Sequence, residues 1–484
     1  MSISRRKNVV FMLSDQLRAD CVASYGNPII QTPNIDSLAG DGTRFARCFA
    51  QHPQCVPSRS AILTGRYPHE NGAISNYTAV GSHERTLPEL YREAGYRTIA
   101  VGKLHMFEEK ERAGFTDTMM SGGQHSGATS PECMRDDYKA WLKKNGYWDA
   151  AVGAYAIHGT QQYWNDFQAN VNPIPAQAYV DSWVGDQSVE YIRNQPASEP
   201  FFLFAGFPNP HIPFDAPEPY ASMYDPLDMP IPPTFHASLD NKPPQHLVYK
   251  RSGRKTNYEH LTEDKLRRCM AYYYGSISLV DAQVGKIVAA LRETNRLDDT
   301  IVVFLSDHGE LLGHFGMLIK SIDAFPMLYD VGLHVPCVIR VPHGTPGITV
   351  STQTELIDVA PTVLSESGLS APPEMQGRML CESLYGGDAP RRAYVFAETG
   401  AVKMIRGDKY KLVHYPGQNY GELYDVKSDP HEMHNLHNDS AYRGLREEMT
   451  RDLLDFLIGS EAAHHGESMR GPAYWRTMHR LPFE

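Results

Sequence analysis

Two continuous apolar runs in this chain end in the same Ser-Asp pair. "NVVFMLSDQ" ends in Asp15 and Gln16, and "TIVVFLSDHGE" leads into Asp307 and His308. Apolar runs without polar alternation are typical of strands that are buried on both faces, as in a parallel sheet between helices. The two runs therefore predict inner strands of a parallel sheet, each followed by groups that can carry charge or bind a metal.

Two further runs follow the same plan. "YRTIAVGKLH" ends at Lys103 and His105, and "PFFLFAGFPNPH" ends at His211. Helical patterns such as "TLPELYREAGY" and "YYGSISLVDAQVGKIVAALRETNRL" lie between the runs. Strands that alternate with helices indicate a doubly wound α/β sheet. Because ligands bind beyond the carboxyl ends of strands in such sheets, we expect the functional site there.

The chain changes character after "GLSAPPEMQGRML". Short strand patterns such as "KYKLVHY" and one last helix, "AYRGLREEMTRDLLDFLIG", follow it. We predict an α/β catalytic domain over residues 1–380 and a smaller C-terminal α+β subdomain with a terminal tail over residues 381–484. The proline-rich stretch from Phe207 to Gln245 predicts a long ordered loop over the site.

Charge and cysteine content exclude several classes of protein. The net charge of −11 argues against nucleic-acid binding, which needs a basic surface. The seven cysteines form no CxxC pair, and this indicates a reducing compartment. The apolar run Val9–Leu13 is too short for a signal peptide, and no stretch is long enough to span a membrane. We therefore expect a cytoplasmic protein with no membrane partner.

The stretch "CVPSRSAILTGR" places a cysteine at the start of a short helix. Pro57 suits the first helical position, and Gly65 is a natural stop. Cys55 is then at or just before the helix N-terminus, where partial positive charge lowers the pKa of a thiol. Arg59 adds a fixed cation. A buried structural cysteine beside a capped helix is the alternative interpretation.

The full string C-x-P-S-R followed by L-T-G-R resembles the signature of the formylglycine-dependent sulfatases of the alkaline-phosphatase-like superfamily. "TPNIDSLAGDGTRF", "LPELYREAGYRTIAVGKLH", "SDHGELLGHFGMLIK", "LIDVAPTVLSESGL" and "ELYDVKSDPHEMHNL" resemble further family segments, so the resemblance covers nearly the whole chain. It implies a doubly wound mixed sheet sandwiched by helices, with the smaller C-terminal domain.

The resemblance also implies a nucleophile and a reaction. Cys55 is expected to be oxidised to formylglycine by a formylglycine-generating or anaerobic maturation enzyme. One hydroxyl of the hydrated aldehyde, activated by a metal, would attack the sulfur of a sulfate monoester and release the alcohol. The second hydroxyl would then lose its proton, so that the carbonyl re-forms and inorganic sulfate leaves. Serine lacks that second hydroxyl.

The implied metal ligands are Asp15, Gln16, Asp307 and His308, together with the oxygen of residue 55. Mostly oxygen ligands favour Ca²⁺, with Mg²⁺ and Mn²⁺ as alternatives. The chain departs from the family pattern twice, since many members have Asp in place of Gln16 and Asn in place of His308. The neutral Gln16 leaves the identity of the metal open.

The resemblance assigns the other polar groups to the sulfate and the nucleophile. Arg59 is expected to hold the formylglycine, and His105 to hold or deprotonate its hydrate. The groups expected to contact sulfate oxygens are Lys103, His211 and Lys320, and either His211 or Lys320 is expected to protonate the leaving alcohol. Asn76 is a further candidate for a substrate contact. We interpret His69 and His314 as structural.

Two other functions compete with sulfate ester hydrolysis. Phosphonate monoester and phosphodiester hydrolases of the same superfamily share the nucleophile and the Asp-Gln pair. Ser58, Lys103 and His105 favour a sulfatase over them. A non-catalytic pseudo-sulfatase that binds anions would need a broken site, whereas every expected position is filled. The sequence leaves open whether the ester is aryl, alkyl, choline or sugar sulfate.

The C-terminal tail is unusually rich in large apolar side chains. Residues 471–484 include Tyr474, Trp475, Met478, Leu481 and Phe483. Because such groups need burial, we predict that the tail packs against a neighbouring subunit of a homo-oligomer. Docking of the tail on its own domain is the alternative.

Overall fold

A large mixed sheet lies at the centre of the computed structural model, which describes residues 6–106, 113–122, 136–252 and 256–461. The strands within these residues are β1 (Asn8–Asp15), β2 (Thr43–Phe45), β3 (Cys48–Phe49), β4 (Arg97–Gly102), β5 (Asp117–Met120), β6 (Phe201–Pro210), β7 (Thr300–Ser306), β8 (His334–Val335), β9 (Cys337–Arg340), β10 (Ile348–Val350), β11 (Thr354–Glu355), β12 (Val395–Thr399), β13 (Val402–Arg406), β14 (Tyr410–His414) and β15 (Glu422–Asp425). Eight of them form the central sheet in the order β10-β2-β9-β7-β1-β6-β4-β5.

The four strands predicted from apolar runs are the inner strands of this sheet. β1 lies between β6 and β7 and is parallel to both, with Val9 paired to Phe202 on one side and to Ile301 on the other. β4 is parallel to β6. β9 is antiparallel to both β7 and β2, and this makes the sheet mixed. The parallel strands therefore end at one edge, as predicted.

The helices of the described residues cover both faces of the sheet. They are α1 (Pro33–Asp41), α2 (Cys55–Thr64), α3 (Pro68–Asn71), α4 (Leu87–Glu93), α5 (Asp137–Lys144), α6 (Trp148–His158), α7 (Gln161–Asn165), α8 (Val180–Asn194), α9 (Pro244–Ser252), α10 (Glu263–Glu293), α11 (Asp330–Leu333), α12 (Val359–Glu366) and α13 (Arg443–Glu461). None of these helices has the length and hydrophobicity needed to cross a bilayer.

Alternate residues of β1 face two separate hydrophobic cores. Val10 and Met12 pack in the core that contains side chains of α8 and α10. Val9, Phe11 and Leu13 pack in the core that contains side chains of α2, α4 and α12. A strand with no polar alternation is thus explained by burial on both faces, and the doubly wound prediction is confirmed.

A second, antiparallel sheet is formed by β12, β13, β14 and β15 in sequence order. Side chains from three of its strands pack against Met449 and Leu453 of α13. The buried ammonium of Lys411 joins this sheet to the catalytic part through Asp330 (2.8 Å), and it also contacts Glu432 of the C-terminal part (2.6 Å). The smaller C-terminal α+β unit is therefore present, whereas its boundary at residue 381 stays a prediction.

The proline-rich loop is shorter at both ends than predicted. β6 continues to Pro210, because the pairing with β1 shifts register between Ser14 and Asp15 and so admits proline. At the other end, α9 already begins at Pro244. The predicted tail, residues 471–484, and Cys133 lie outside the described residues. The six cysteines within the described residues are free thiols.

A buried carboxyl group holds the end of β6. Asn209 donates from its backbone N–H (3.3 Å) and from its side-chain amide (2.5 Å) to Asp181 at the start of α8. Burial raises the pKa of Asp181 from 3.8 to about 7. Between these two pKa values the folded protein keeps a proton that the unfolded chain has lost. This group therefore lowers the free energy of unfolding as the pH rises.

The free energy of unfolding of Asp181→Asn, relative to that of the wild type, is therefore expected to be higher at about pH 8 than at about pH 5. Urea unfolding at both pH values measures this gain. Asp186→Asn, at a half-exposed position of the same helix, is the control and should show no such shift. An equal difference between Asp181→Asn and the wild type at both pH values would contradict the assignment.

Candidate active site

The predicted site residues meet at the carboxyl edge of the central sheet. Asp15 ends β1, and Asp307 and His308 directly follow β7. Lys103 follows β4, and His211 follows β6. All five side chains are buried. Because the four strands are parallel neighbours, residues far apart in sequence are brought to one place.

Cys55 is the first residue of α2, and every residue of that helix is buried. Gln54 precedes it in an extended conformation, and Gly65 ends the helix with a positive φ of 66°. The prediction that Cys55 lies at the helix N-terminus is confirmed. The predicted start at Pro57 is wrong by two residues, but Pro57 still lies in the first turn, where its missing N–H leaves no hydrogen bond unmade.

Arg59 ties α2 to two carboxylates. Its guanidinium, 1 % exposed, donates to Asp307 (Nε to Oδ2, 2.7 Å) and to Asp15 (Nη2 to Oδ2, 3.1 Å). It also donates to the backbone carbonyls of Lys103 (2.8 Å) and Leu104 (3.2 Å). These fully buried charge pairs fix the positions of both carboxylates relative to α2.

The Cys55 sulfur lies among cationic and ligand groups. Lys320 Nζ is 2.8 Å from Sγ, His308 Nε2 is 3.2 Å from it, and Asp15 Oδ1 is 3.6 Å from it. Burial alone would raise the pKa of this thiol. The positive charges of Lys320 and Lys103 outweigh burial and hold the pKa of Cys55 well below its usual value. A structural thiol in an apolar core would have the opposite shift.

One ligand atom from each of Asp15, Cys55, Asp307 and His308 lies within 4.8 Å of the others. Gln16, in a left-handed conformation (φ 69°), adds an amide. Its Nε2 donates to Glu310, while its Oε1 is buried and has no hydrogen-bond partner. Gln16 follows Asp15 in the chain and donates its backbone N–H to Asp307 Oδ1 at 3.0 Å. Two carboxylates, an imidazole and a nearby residue whose buried amide oxygen lacks a partner among the described residues fit a divalent cation. The described residues therefore fit the metal that the sequence predicts.

Lys103 and the two predicted catalytic histidines lie around the same sulfur. Lys103 Nζ is 2.6 Å from Asp15 Oδ2. Burial would raise the pKa of the Asp15 carboxyl, but Lys103 and the neighbouring cations hold it well below its usual range. Burial and Lys103 lower the pKa of His105, which has a hydrogen-bonding interaction with Cys55. Burial and Lys320 lower the pKa of His211 to about 3.

Asn76 and the two histidines interpreted as structural lie at the edge of this cluster or outside it. Asn76 Oδ1 accepts from the backbone N–H of Val56 at 3.0 Å, so its side chain caps α2. His69 contacts Glu398 and Ser460 in the C-terminal part, and His314 contacts Thr234. The substrate contact predicted for Asn76 stays a prediction.

Sequence reasoning missed Glu310. Its carboxyl group accepts from Gln16 Nε2 and from the backbone N–H groups of Leu312 and Ile319, and it is fully buried. Burial raises the pKa of Glu310 to about 7. The string "SDHGELLG" contains this residue, but nothing in its spacing distinguishes a group behind the ligands from an ordinary loop glutamate.

Comparison with known proteins identifies the family of the chain. The family model described as "Sulfatase" matches residues 7–369, and the model of the N-sulphoglucosamine sulphohydrolase C-terminal region matches residues 323–457. An arylsulfatase of Clostridium perfringens is 29% identical, with 95% of this chain and 96% of the relative covered. An N-acetylglucosamine-6-O-sulfatase of Bacteroides thetaiotaomicron is 27% identical, with 92% and 85% covered.

A solved structure shows the same fold. The phosphonate monoester hydrolase of Agrobacterium radiobacter superposes with a TM-score of 0.79 and 25% identity, covering 94% of this chain and 96% of that protein. Both the family model and the sulfatase relatives extend over the strands and the helix that carry the site. The chain belongs to the sulfatase family and is a sulfuric ester hydrolase.

Proposed function

We propose that this protein hydrolyses a sulfate monoester at residue 55, with formylglycine made from Cys55 as the nucleophile and one divalent metal ion. The observation that carries the proposal is the position of the Cys55 sulfur at the N-terminus of α2. It lies within 3.6 Å of Lys320, His308 and Asp15. The test is turnover of 4-nitrophenyl sulfate by metal-loaded protein, with mass spectrometry of the residue-55 peptide.

The residues around Cys55 divide the remaining work of the reaction. The hydrated aldehyde would supply two hydroxyl groups where the single sulfur now stands. Arg59 keeps Asp15 and Asp307 in place on one side, and His105 lies beside the reacting group to accept a proton. Lys103 and Lys320 provide positive charge where the negative charge of the sulfate oxygens increases in the transition state.

Lys320 is our choice for the group that protonates the leaving alcohol. His211 Nδ1 is 2.8 Å from the carbonyl oxygen of Ile212. Because a carbonyl oxygen can only accept a hydrogen bond, Nδ1 carries the hydrogen of the neutral ring. The low pKa keeps the free histidine neutral, so its Nε2 can only accept. Lys320 carries three donor hydrogens. His211 is then a sulfate contact once the bound anion has favoured its protonation.

We propose Asp15, Gln16, Asp307 and His308 as the protein ligands of the metal, with Ca²⁺ as the favoured ion and Mg²⁺ or Mn²⁺ as alternatives. A bound divalent ion would lower the pKa of the nucleophilic hydroxyl and polarise a sulfate oxygen. A maturation enzyme for Cys55, a cytoplasmic location and a homo-oligomer joined through the C-terminal tail belong to the same proposal.

Glu310 is proposed to orient Gln16 toward the metal. While the residue-310 carboxyl accepts from Gln16 Nε2, Gln16 Oε1 has no hydrogen-bond partner among the described residues and would be left to bind the cation. In Glu310→Gln the new amide can place its NH₂ group opposite the NH₂ group of Gln16, so that two donors face each other. Rotation of the Gln16 amide relieves this conflict. The rotated Gln16 would direct its NH₂ group at the cation and remove one ligand.

We expect Glu310→Gln to weaken Ca²⁺ and Mn²⁺ binding about 10- to 100-fold. Isothermal titration calorimetry of protein with unmodified Cys55 measures this loss independently of activity. Glu398→Gln replaces another buried glutamate, which contacts His69 and Lys403, and should leave the metal affinity unchanged. Equal metal affinity of Glu310→Gln and the wild type would refute the orienting role.

A phosphonate monoester hydrolase is the second candidate function. It is supported by Gln16 and by the fold shared with the Agrobacterium hydrolase. The presence of Lys103 and His105 around the nucleophile favours sulfate. Comparing kcat/KM for 4-nitrophenyl sulfate and for 4-nitrophenyl phenylphosphonate decides between the two, and we expect the sulfate ester to be preferred.

A further inference from the structure

Two surface turns are attached to the residues on either side of Cys55. Asn76 accepts from the backbone N–H of Val56 at 3.0 Å. On the other side, Gln54 Nε2 donates to Asp323 Oδ1 at 2.8 Å. Since Gln54 and Val56 are the chain neighbours of the nucleophile, both turns lie beside the site. The residues that the turns expose are therefore placed to contact the part of a substrate that projects from it.

The first turn, residues 75–78, presents an aromatic ring. It is closed by hydrogen bonds from Ser75 N to Thr78 Oγ1 (2.9 Å), from Tyr77 N to Ser75 Oγ (3.1 Å) and from Thr78 Oγ1 to the Ser75 carbonyl (3.1 Å). The Tyr77 side chain takes no part in these bonds and is 78% exposed, and Ile74 beside it is 45% exposed. The turn thus holds a large apolar surface in solvent next to the site.

The second turn, residues 322–325, presents a carboxylate. It begins two residues after Lys320 and is closed by a hydrogen bond from Phe325 N to the Ile322 carbonyl (2.8 Å). Ser321 braces it through the Phe325 carbonyl (3.2 Å). Asp323 at its tip is exposed, and Gln54 fixes the position of one of its oxygens. A negative group therefore lies at the edge of the site, three residues after Lys320 in the chain.

We infer that Tyr77 and Asp323 form the subsite for the alcohol part of the substrate, and that this alcohol is a hydroxyl-bearing sugar ring. An aromatic face packs against the apolar C–H face of such a ring, and a carboxylate accepts from its hydroxyl groups. Asp323 would also repel a second sulfate nearby. The inference rests on the proposed sulfatase function and narrows it to singly sulfated sugars.

The test compares Tyr77→Ala and Asp323→Asn with the wild type on glucose 6-sulfate and on propyl sulfate, which has no ring and no hydroxyl group. Asn keeps the oxygen that accepts from Gln54, and the first turn is closed without the Tyr77 side chain. We expect each variant to lose about tenfold in kcat/KM for glucose 6-sulfate, mainly through KM, and less than about twofold for propyl sulfate. Tyr385→Ala and Asp408→Asn, at other exposed positions, are controls.

A doubly sulfated sugar tests the negative charge separately. We expect the wild type to prefer glucose 6-sulfate to glucose 3,6-disulfate and Asp323→Asn to lose much of that preference. Equal losses on propyl sulfate and glucose 6-sulfate, or no loss on either, would overturn the subsite. Choline sulfate is measured as a further substrate, and a loss confined to it would overturn the sugar assignment, because it would show a cation site. A wild type that hydrolyses none of these sulfate esters, 4-nitrophenyl sulfate included, overturns the proposed function together with the subsite.

Discussion

Replacing Cys55 by serine is expected to lower multiple turnover by several orders of magnitude, the scale of losing a nucleophile that acts as part of a unit. Serine has one hydroxyl, so it can take the sulfate but has no second hydroxyl to expel it. The fold and the metal ligands should be retained, because serine is close in size to cysteine. The variant should therefore stall after one turnover with sulfate bound covalently to Ser at position 55.

Mass spectrometry of the residue-55 peptide checks both states. In the active wild type the aldehyde is expected about 18 Da below cysteine, and its hydrate is near-isobaric with cysteine. In Cys55→Ser a covalent sulfate should accumulate. Cys381→Ser, a partly buried thiol outside the site, is the control and should keep full activity. Full multiple turnover by Cys55→Ser without trapped sulfate would rule out the proposed nucleophile.

Replacing Asp307 by asparagine is expected to abolish metal binding and to lower kcat/KM by about a thousandfold or more. Asp307 Oδ1 accepts from the backbone N–H groups of Gln16 (3.0 Å) and His308 (2.9 Å), and Oδ2 accepts from Arg59. Asparagine removes a ligand charge and, with Oδ1 still held by two donors, turns its NH₂ group toward the guanidinium. The cation loses the charge of a ligand, and Arg59 loses a buried partner.

Metal analysis after dialysis and calorimetry with Ca²⁺ measure the first loss, and steady-state kinetics measures the second. Circular dichroism must show that the variant is folded. Asp307→Glu keeps the charge but moves the oxygens, and its comparison with Asp307→Asn guards against a loss due to unfolding alone. The metal affinity should fall further in Asp307→Asn than in Glu310→Gln. Tight metal binding by Asp307→Asn would remove Asp307 from the ligand set.

The inner part of the sheet was predictable because burial on both faces leaves a direct mark on sequence. The runs that became β1, β4, β6 and β7 have no polar alternation, and their parallel order brings Asp15, Lys103, His211 and Asp307 together. The sequence motif around Cys55 supplied the chemistry. Periodicity alone could have indicated an anion site there, but not a sulfatase.

Other features leave too little signal in sequence. β2, β3, β8, β10 and β11 contain only two or three residues each, fewer than a repeating pattern needs. The antiparallel direction of β9 depends on the path of the chain after α11. The hydrogen bonds of Glu310, and those that attach the two turns to Gln54 and Val56, arise from tertiary packing. No spacing of residues along the chain predicts these hydrogen bonds.

The burial of Cys55 also limits when its proposed oxidation can occur relative to folding. Its side chain is 1% exposed at the head of a helix whose residues are all buried. A maturation enzyme of the proposed kind would need access to Cys55 and to the residues after it, which are buried in the folded helix. The oxidation proposed for Cys55 would therefore precede folding, while the segment is still accessible in the nascent chain. Each molecule would then have one opportunity to become active, and the active fraction of a preparation would reflect how oxidation competed with folding during synthesis.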